Sequence, residues 1–309
     1  KTSAAYELNG GAGDDIIYGA QEYTSQIHGG AGNDTILFSK GEIASNKWAY
    51  VYGGAGDDTI TSSTTLGATN TTIYGGFGDD IINAGDGDYR IYGDNDYWYW
   101  DYYGIEDSRN DTITAGAGND SIWGGYGDDI INAGDGDNTV YGGDGNDSLT
   151  GGSGVDVIEG GEGNDIFQGN GGNDIYYGYT TNSTDSNTSA VDTLTLSGAH
   201  SDYAISRVSN DIFNYGYYIS DLGSGFSDGV DTLYGINQIQ FSDLTISTES
   251  FFEGSNTDSS DGKDHLIGLG GNDTLIGFGG DDILEGGNGD DLLYGGRGEN
   301  IIDGGQGTD

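Results

Sequence analysis

The 309-residue chain carries 52 acidic residues against 8 basic ones, a net charge of −44, and has no Cys, Met or Pro. Without a counter-cation such a chain repels itself and stays expanded, and nucleic acid and anionic membranes are poor partners for it. The missing cysteines exclude disulfides, thiolate metal sites and cysteine nucleophiles, while the missing prolines suit a ladder that uses every backbone N–H.

A nine-residue pattern, Gly-Gly-x-Gly-x-Asp-x-U-x with U a large aliphatic, recurs from end to end. The glycines supply positive φ and an open backbone whose carbonyls can face a cation, the Asp adds a hard anionic oxygen of the kind calcium selects, and U points into a shared core. Residues 1–83 read as an irregular stretch of this pattern, with turns on one side only and loops at 19–26, 38–49 and 62–71. Residues 84–178 are regular, apart from an insertion at 93–109 that holds Tyr97-Trp98-Tyr99-Trp100-Asp101-Tyr102-Tyr103. The clearest copies follow one another at Gly142–Thr150, Gly151–Glu159 and Gly160–Gln168.

From 179 to 258 the repeats stop. Thr180–Ser189 reads as a linker or exposed loop, and strand-like alternations follow at Asp192–Leu196, Tyr203–Ser206 and Asp231–Leu233. This stretch is expected to be a non-repetitive β cap. A second block occupies 259–309 and breaks off inside a repeat at Gly304–Asp309, which leads us to expect a fragment of a longer protein. Lys1–Ala5 does not resemble a signal peptide, and no apolar run approaches the ~20 residues of a membrane span.

These tandem copies resemble the RTX (repeats-in-toxin) family over roughly three quarters of the chain. The resemblance implies an all-β fold, a parallel β-roll (a right-handed β-helix of GGxGxDxUx repeats), loaded with several calcium ions. It further implies a secreted, extracellular or cell-surface bacterial protein exported by type I secretion. In that family low cytosolic calcium leaves the chain unfolded for export, and external calcium drives folding.

Aligned on U, the repeats give one inward column: Ile17, Ile27, Ile36, Val51, Ile60, Ile73, Ile82, Ile91, Ile113, Ile122, Ile131, Val140, Leu149, Ile158, Phe167 and Tyr176. Short three-residue strands such as Thr59–Thr61 and Thr139–Tyr141, two per coil, then place the turns on two alternating edges. On edge A the position-six residues, the expected calcium ligands, are Asp15, Asp34, Asp58, Asp80, Asp111, Asp129, Asp147 and Asp165. On edge B they are Asp120, Asp156 and Asp174, with Tyr89 expected to offer nothing and Asn138 an amide oxygen. The second block adds Asp264, Asp273, Asp282 and Asp291, with Asn300 and Asp309 at the equivalent places. About ten calcium ions are expected, on edge A throughout and on edge B from about residue 115.

Position nine after the edge-B turns reads His28, Tyr52, Tyr74, Tyr92, Trp123, Tyr141, Glu159 and Tyr177, an outward ladder on one face. It is either packing or a contact surface for another copy of the chain or a surface polysaccharide. The opposite face carries Thr35, Thr59, Thr61, Thr112 and Thr114 but is interrupted by Ile16, Ile81 and Ile130, which argues against an ice-binding array. His28, His200 and His265 are scattered, and neither a zinc-protease HExxH nor a GxSxG elbow occurs, so no catalysis is expected of this segment.

Overall fold

The computed structural model describes residues 6–19, 24–38, 49–62, 68–94, 109–179, 190–198, 203–207, 216–221, 230–242, 245–247, 255–257, 265–268, 273–277 and 280–309. Among them every regular element is a β-strand. The aromatic segment Tyr97–Tyr103, the linker 180–189 and Asp264 lie outside the described residues.

The chain divides into two compact units. In the first (residues 1–193 with 227–229), successive strands alternate between two parallel sheets. One sheet holds Tyr6–Ala12, Thr24–Ala31, Ala49–Ala55, Ala68–Phe77, Gly87–Asp94, Ser121–Tyr126, Thr139–Asp144, Val157–Glu162 and Ile175–Tyr177 side by side. The other holds Ile16–Gly19, Thr35–Phe38, Thr59–Ser62, Ile81–Gly85, Thr112–Ala115, Ile130–Asp135, Ser148–Ser153 and Ile166–Gly171. This is a parallel β-roll.

Register follows the aliphatic column. Ile17 faces Ile36, and the series continues through Ile60, Ile82, Ile113, Ile131, Leu149 and Phe167. In the other sheet Ile27 leads to Val51, Ile73, Ile91, Ile122, Val140, Ile158 and Tyr176. Every member of the column is buried, none more than 9 % exposed. With two such side chains per coil the core contributes only ~3–6 kcal/mol per coil. That is thin for a fold of this length.

The strands outrun the three residues expected for them. Thr139–Asp144 continues past Tyr141 because Gly143 and Asp144 still pair with Gly161 and Glu162 of the next coil. The chain can run so close to its neighbour only because glycine is there. Gly143 and Gly145 have φ of 127° and 137°, and a Cβ on Gly143 would overlap the carbonyl oxygen of Gly125. A side chain at either position is both strained and without space.

The second unit covers residues 194–226 and 230–309. Tyr203–Arg207, Gly216–Asp221 and Val230–Tyr234 form an antiparallel meander, and Gln238–Gln240 pairs antiparallel with Thr245–Ser247. Parallel pairing returns with the repeats: Ser255–Thr257, Thr274–Ile276 and Leu292–Tyr294 form one sheet, His265–Ile267, Ile283–Glu285 and Ile301–Asp303 another. Leu266, Leu275 and Leu284 are the core of this block.

Candidate metal centre

From Asp34 to Asp165 on edge A, each position-six aspartate is held by the coil before it. The backbone N–H of Asp34 donates to Asp58 Oδ1 at 2.7 Å, Asp58 N–H to Asp80 Oδ1 at 2.7 Å, and Asp129 N–H to Asp147 Oδ1 at 2.8 Å. The same bond links Asp15 to Asp34, Asp80 to Asp111, Asp111 to Asp129 and Asp147 to Asp165. Edge A is therefore one continuous file of carboxylates. Edge B is a second: Tyr89 N–H to Asp120, Asp120 N–H to Asn138, Asn138 N–H to Asp156 and Asp156 N–H to Asp174. In the second block Asp273 leads to Asp291 and Asp309, and Asp282 to Asn300.

The other carboxylate oxygen tells what the turns are for. Oδ2 of Asp15, Asp34, Asp58, Asp80, Asp111, Asp129, Asp147 and Asp165 on edge A is buried and accepts no hydrogen bond. The same holds for Asp120 and Asp156 on edge B and for Asp291. A Cβ on Gly142 would overlap both Asp147 Oδ2 and the carbonyl oxygen of Gly160 in the following coil, so these two acceptors converge on one point. Gly29, Gly53, Gly75, Gly93 and Gly124 stand in the same relation to Asp34, Asp58, Asp80, Asp111 and Asp129. An all-oxygen, all-acceptor cradle with a buried anion is unsatisfied by any protein donor and fits a hard cation. Among the described residues no three His, Asp or Glu side chains converge, and the second acceptor at these points is a backbone carbonyl of the following coil. Calcium bound there would supply a double positive charge and nothing redox-active.

Without that charge, burial pushes the carboxyls far above the ordinary aspartate value of 3.8. Desolvation takes Asp80 and Asp129 to about 9 and Asp58, Asp120, Asp147 and Asp156 to about 7, helped by neighbouring aspartates at positions five and six. Hydrogen bonds from the neighbouring coil's N–H groups pull the other way and lose. A raised pKa means the folded chain holds protons the unfolded chain has released. Metal-free stability is then greatest below about pH 4 and falls as pH rises toward 7–9. With calcium bound the slope reverses, because protons compete for the ligand oxygen. In chelator, lowering the pH from 8 to 5 should increase the β-structure seen by circular dichroism, whereas in millimolar calcium it should lower the melting temperature; stabilisation at pH 5 in both, or in neither, would contradict the assignment.

Sequence reasoning missed three features of these edges. Asp192 is 4 % exposed, accepts the Asp165 N–H at 3.0 Å and extends the edge-A file; burial raises its carboxyl to about 7. No glycine pattern surrounds it, so only its place beside Asp165 marks it. Position five carries a second file running in the opposite sense. There Asn33 N–H donates to Asp14, Asp79 N–H to Asp57, Asn110 N–H to Asp79 and Asp128 N–H to Asn110. The recurrence of Asp or Asn at that position was its signal.

The third feature is a graft. The chain leaves edge A at Asp94 and rejoins it at Arg109, yet Gly93 still faces Asp111 Oδ2, so the cradle survives the insertion. Arg109 is 2 % exposed, donates to Asp94 Oδ1 at 2.6 Å, and lies 4.5 Å from the centroid of Phe77. Asp94 Oδ2 accepts the Tyr126 N–H at 2.8 Å, where the regular repeat offers a carbonyl, as Gly116 does to Asp135 N–H.

Edge B departs from expectation at two turns. At Asn138 the amide oxygen accepts the Asp120 N–H at 2.9 Å, as Oδ1 does at the aspartate turns, and the amide nitrogen stands in the place of Oδ2. At Asp174, Oδ2 accepts a hydrogen bond from the Tyr176 hydroxyl at 3.2 Å, so a protein donor stands in the cradle. Tyr89 is buried, with its hydroxyl 3.2 Å from Ser62 Oγ.

The outward ladder forms as the repeat implies. The rings of His28, Tyr52, Tyr74, Tyr92, Trp123 and Tyr141 stack in sequence with centroids 4.6–5.5 Å apart and planes within 8° of parallel. On the opposite face Ile16, Ile81, Ile130 and Ile166 are exposed.

A parallel roll with a file of paired, buried, donor-less carboxylates along its turns defines a calcium-binding repeat protein. The family model for the RTX calcium-binding nonapeptide repeat matches residues 7–22, 25–41, 50–63, 66–97, 107–184 in overlapping copies, and 258–309. The chain belongs to that family. A search of curated proteins finds no match to it.

Proposed function

We propose that this chain is an extracellular bacterial module that folds on binding calcium and so serves the export, stabilisation or surface assembly of a larger protein. The observation that carries this reading is the row of eight edge-A carboxylates, each with one oxygen buried without a donor. Such a row opposes folding where calcium is scarce and favours it where calcium is abundant. Calcium thereby works as the signal that the chain has left the cell. The module itself is non-catalytic, and no step beyond ion binding is assigned to its residues. A calcium titration followed by circular dichroism tests this: the folding midpoint should fall within roughly 10⁻⁵–10⁻³ M, the range of weak sensors and extracellular modules. A midpoint below ~10⁻⁷ M would let the chain fold before export and overturn the reading.

The stacked ladder favours self-association over polysaccharide binding as a second role. Its rings spend their faces on each other, so those faces are not offered to a sugar. Sedimentation in calcium of Tyr74→Ser/Trp123→Ser against the parent chain decides it. Loss of assembly with an unchanged calcium midpoint supports the contact surface, and a raised midpoint alone means packing.

A further inference from the structure

Asn138 occupies position six of the turn Ala133–Asn138, between the Asp120 and Asp156 turns of edge B. It is 1 % exposed. Its oxygen accepts the Asp120 N–H, which fixes the amide nitrogen on the side where the aspartate turns present Oδ2. That nitrogen lies 3.1 Å from Gly136 O, 3.4 Å from Gly134 O and 3.5 Å from Gly151 O of the next coil. Of these, Gly151 O holds the place that Gly160 O holds beside Asp147 Oδ2, so the amide brings a donor to the point where an aspartate turn presents two acceptors.

We propose that Asn138 is a built-in substitute for calcium: its amide nitrogen fills the carbonyl cradle, and this turn closes without an ion. The inference rests on the calcium reading of the aspartate turns. Calcium needs its oxygens at about 2.3–2.6 Å, and a nitrogen seated among the same carbonyls leaves no room for it. The amide supplies two N–H donors, and with three carbonyls in reach it satisfies the cradle in part, one contact being good and two long. Ala133 stands at position one of this turn as Ala115 does at the Asp120 turn, so the methyl is common to both and the side chain at position six is what differs. Asn300 is oriented alike, its oxygen on the Asp282 N–H at 2.8 Å and its nitrogen toward Gly295.

Position six is then a selector. Aspartate makes a turn conditional on calcium, and asparagine makes it unconditional. A turn that closes by itself inside the regular block 84–178 gives the roll a fixed point next to which calcium-dependent coils can add.

The experiment counts calcium per folded chain by equilibrium dialysis and compares melting temperatures at one sub-saturating calcium concentration. Asn138→Ala should bind as many ions as the parent chain yet melt lower. Ala133→Gly/Asn138→Asp, which completes the motif, should bind one ion more. In the converse test Asp147→Asn and Asp147→Ala should each lose one ion, and Asp147→Asn should melt higher by roughly 2–4 °C because its amide refills the cradle. Loss of an ion in Asn138→Ala, or equal melting of the two Asp147 variants, overturns the proposal. If Asn138→Ala fails to fold, the Asp147 pair decides. A parent chain that binds no calcium would instead refute the function proposed above.

Discussion

In chelator the chain is expected to lose its β-roll and give the far-UV circular dichroism of a disordered polypeptide, regaining β-structure in millimolar calcium. The size of the effect follows from the turns. An ion present at ten to a hundred times its dissociation constant adds ~1.4–2.7 kcal/mol per site. Eight edge-A carboxylates and those of Asp120, Asp156 and Asp291 are left with a donor-less buried oxygen. About ten such sites together match or exceed the ~5–15 kcal/mol that stabilises an ordinary domain. The opposing term is large as well, since removal of the ions leaves a net charge of −44 uncompensated and carboxylates that burial has driven to about 7–9. With only two aliphatic side chains inward per coil, the core cannot carry the fold alone. Identical spectra in EDTA and in calcium would show that it can.

A second large effect is expected at Arg109. The guanidinium is the only positive charge the described edge-A turns bury, and it neutralises Asp94, itself 8 % exposed. Arg109→Leu leaves that carboxylate buried without its counter-charge, still holding the Tyr126 N–H. Urea denaturation in saturating calcium should show a loss of about 3–5 kcal/mol. Asp94→Asn added to Arg109→Leu should recover most of it, because a neutral amide oxygen still accepts the Tyr126 N–H. A loss below about 0.5 kcal/mol in Arg109→Leu would mean that the pair behaves as an exposed one.

The parts of the fold that repeat were legible in the chain, and those that depend on a neighbour in space were not. Ile17 through Tyr176 could be aligned because U recurs at a fixed offset from the glycines, and once two strands make a coil that offset also fixes the register. The two edges followed, and with them the position-six files from Asp15 to Asp165 and from Tyr89 to Asp174. Stacking of His28 through Tyr141 was legible for the same reason. Asp192 was not, since nothing in Val191-Asp192-Thr193-Leu194 resembles the turn whose file it joins. Arg109 reads in sequence as the end of an insertion, and its role exists only where Asp94, Phe77 and Tyr126 meet it. Asn138 could be placed but not oriented. Which end of an amide faces the cradle is decided by the N–H of Asp120, one coil away.

Anomalous scattering from crystals grown in calcium tests most directly whether position-six carboxylates with a donor-less oxygen are calcium sites. Ions are expected along the whole of edge A from Asp15 to Asp165 and at Asp120 and Asp156 on edge B, and none at Tyr89 or Asn138. Two equally filled columns over residues 1–90, or an ion in contact with the Asn138 side chain, would contradict it.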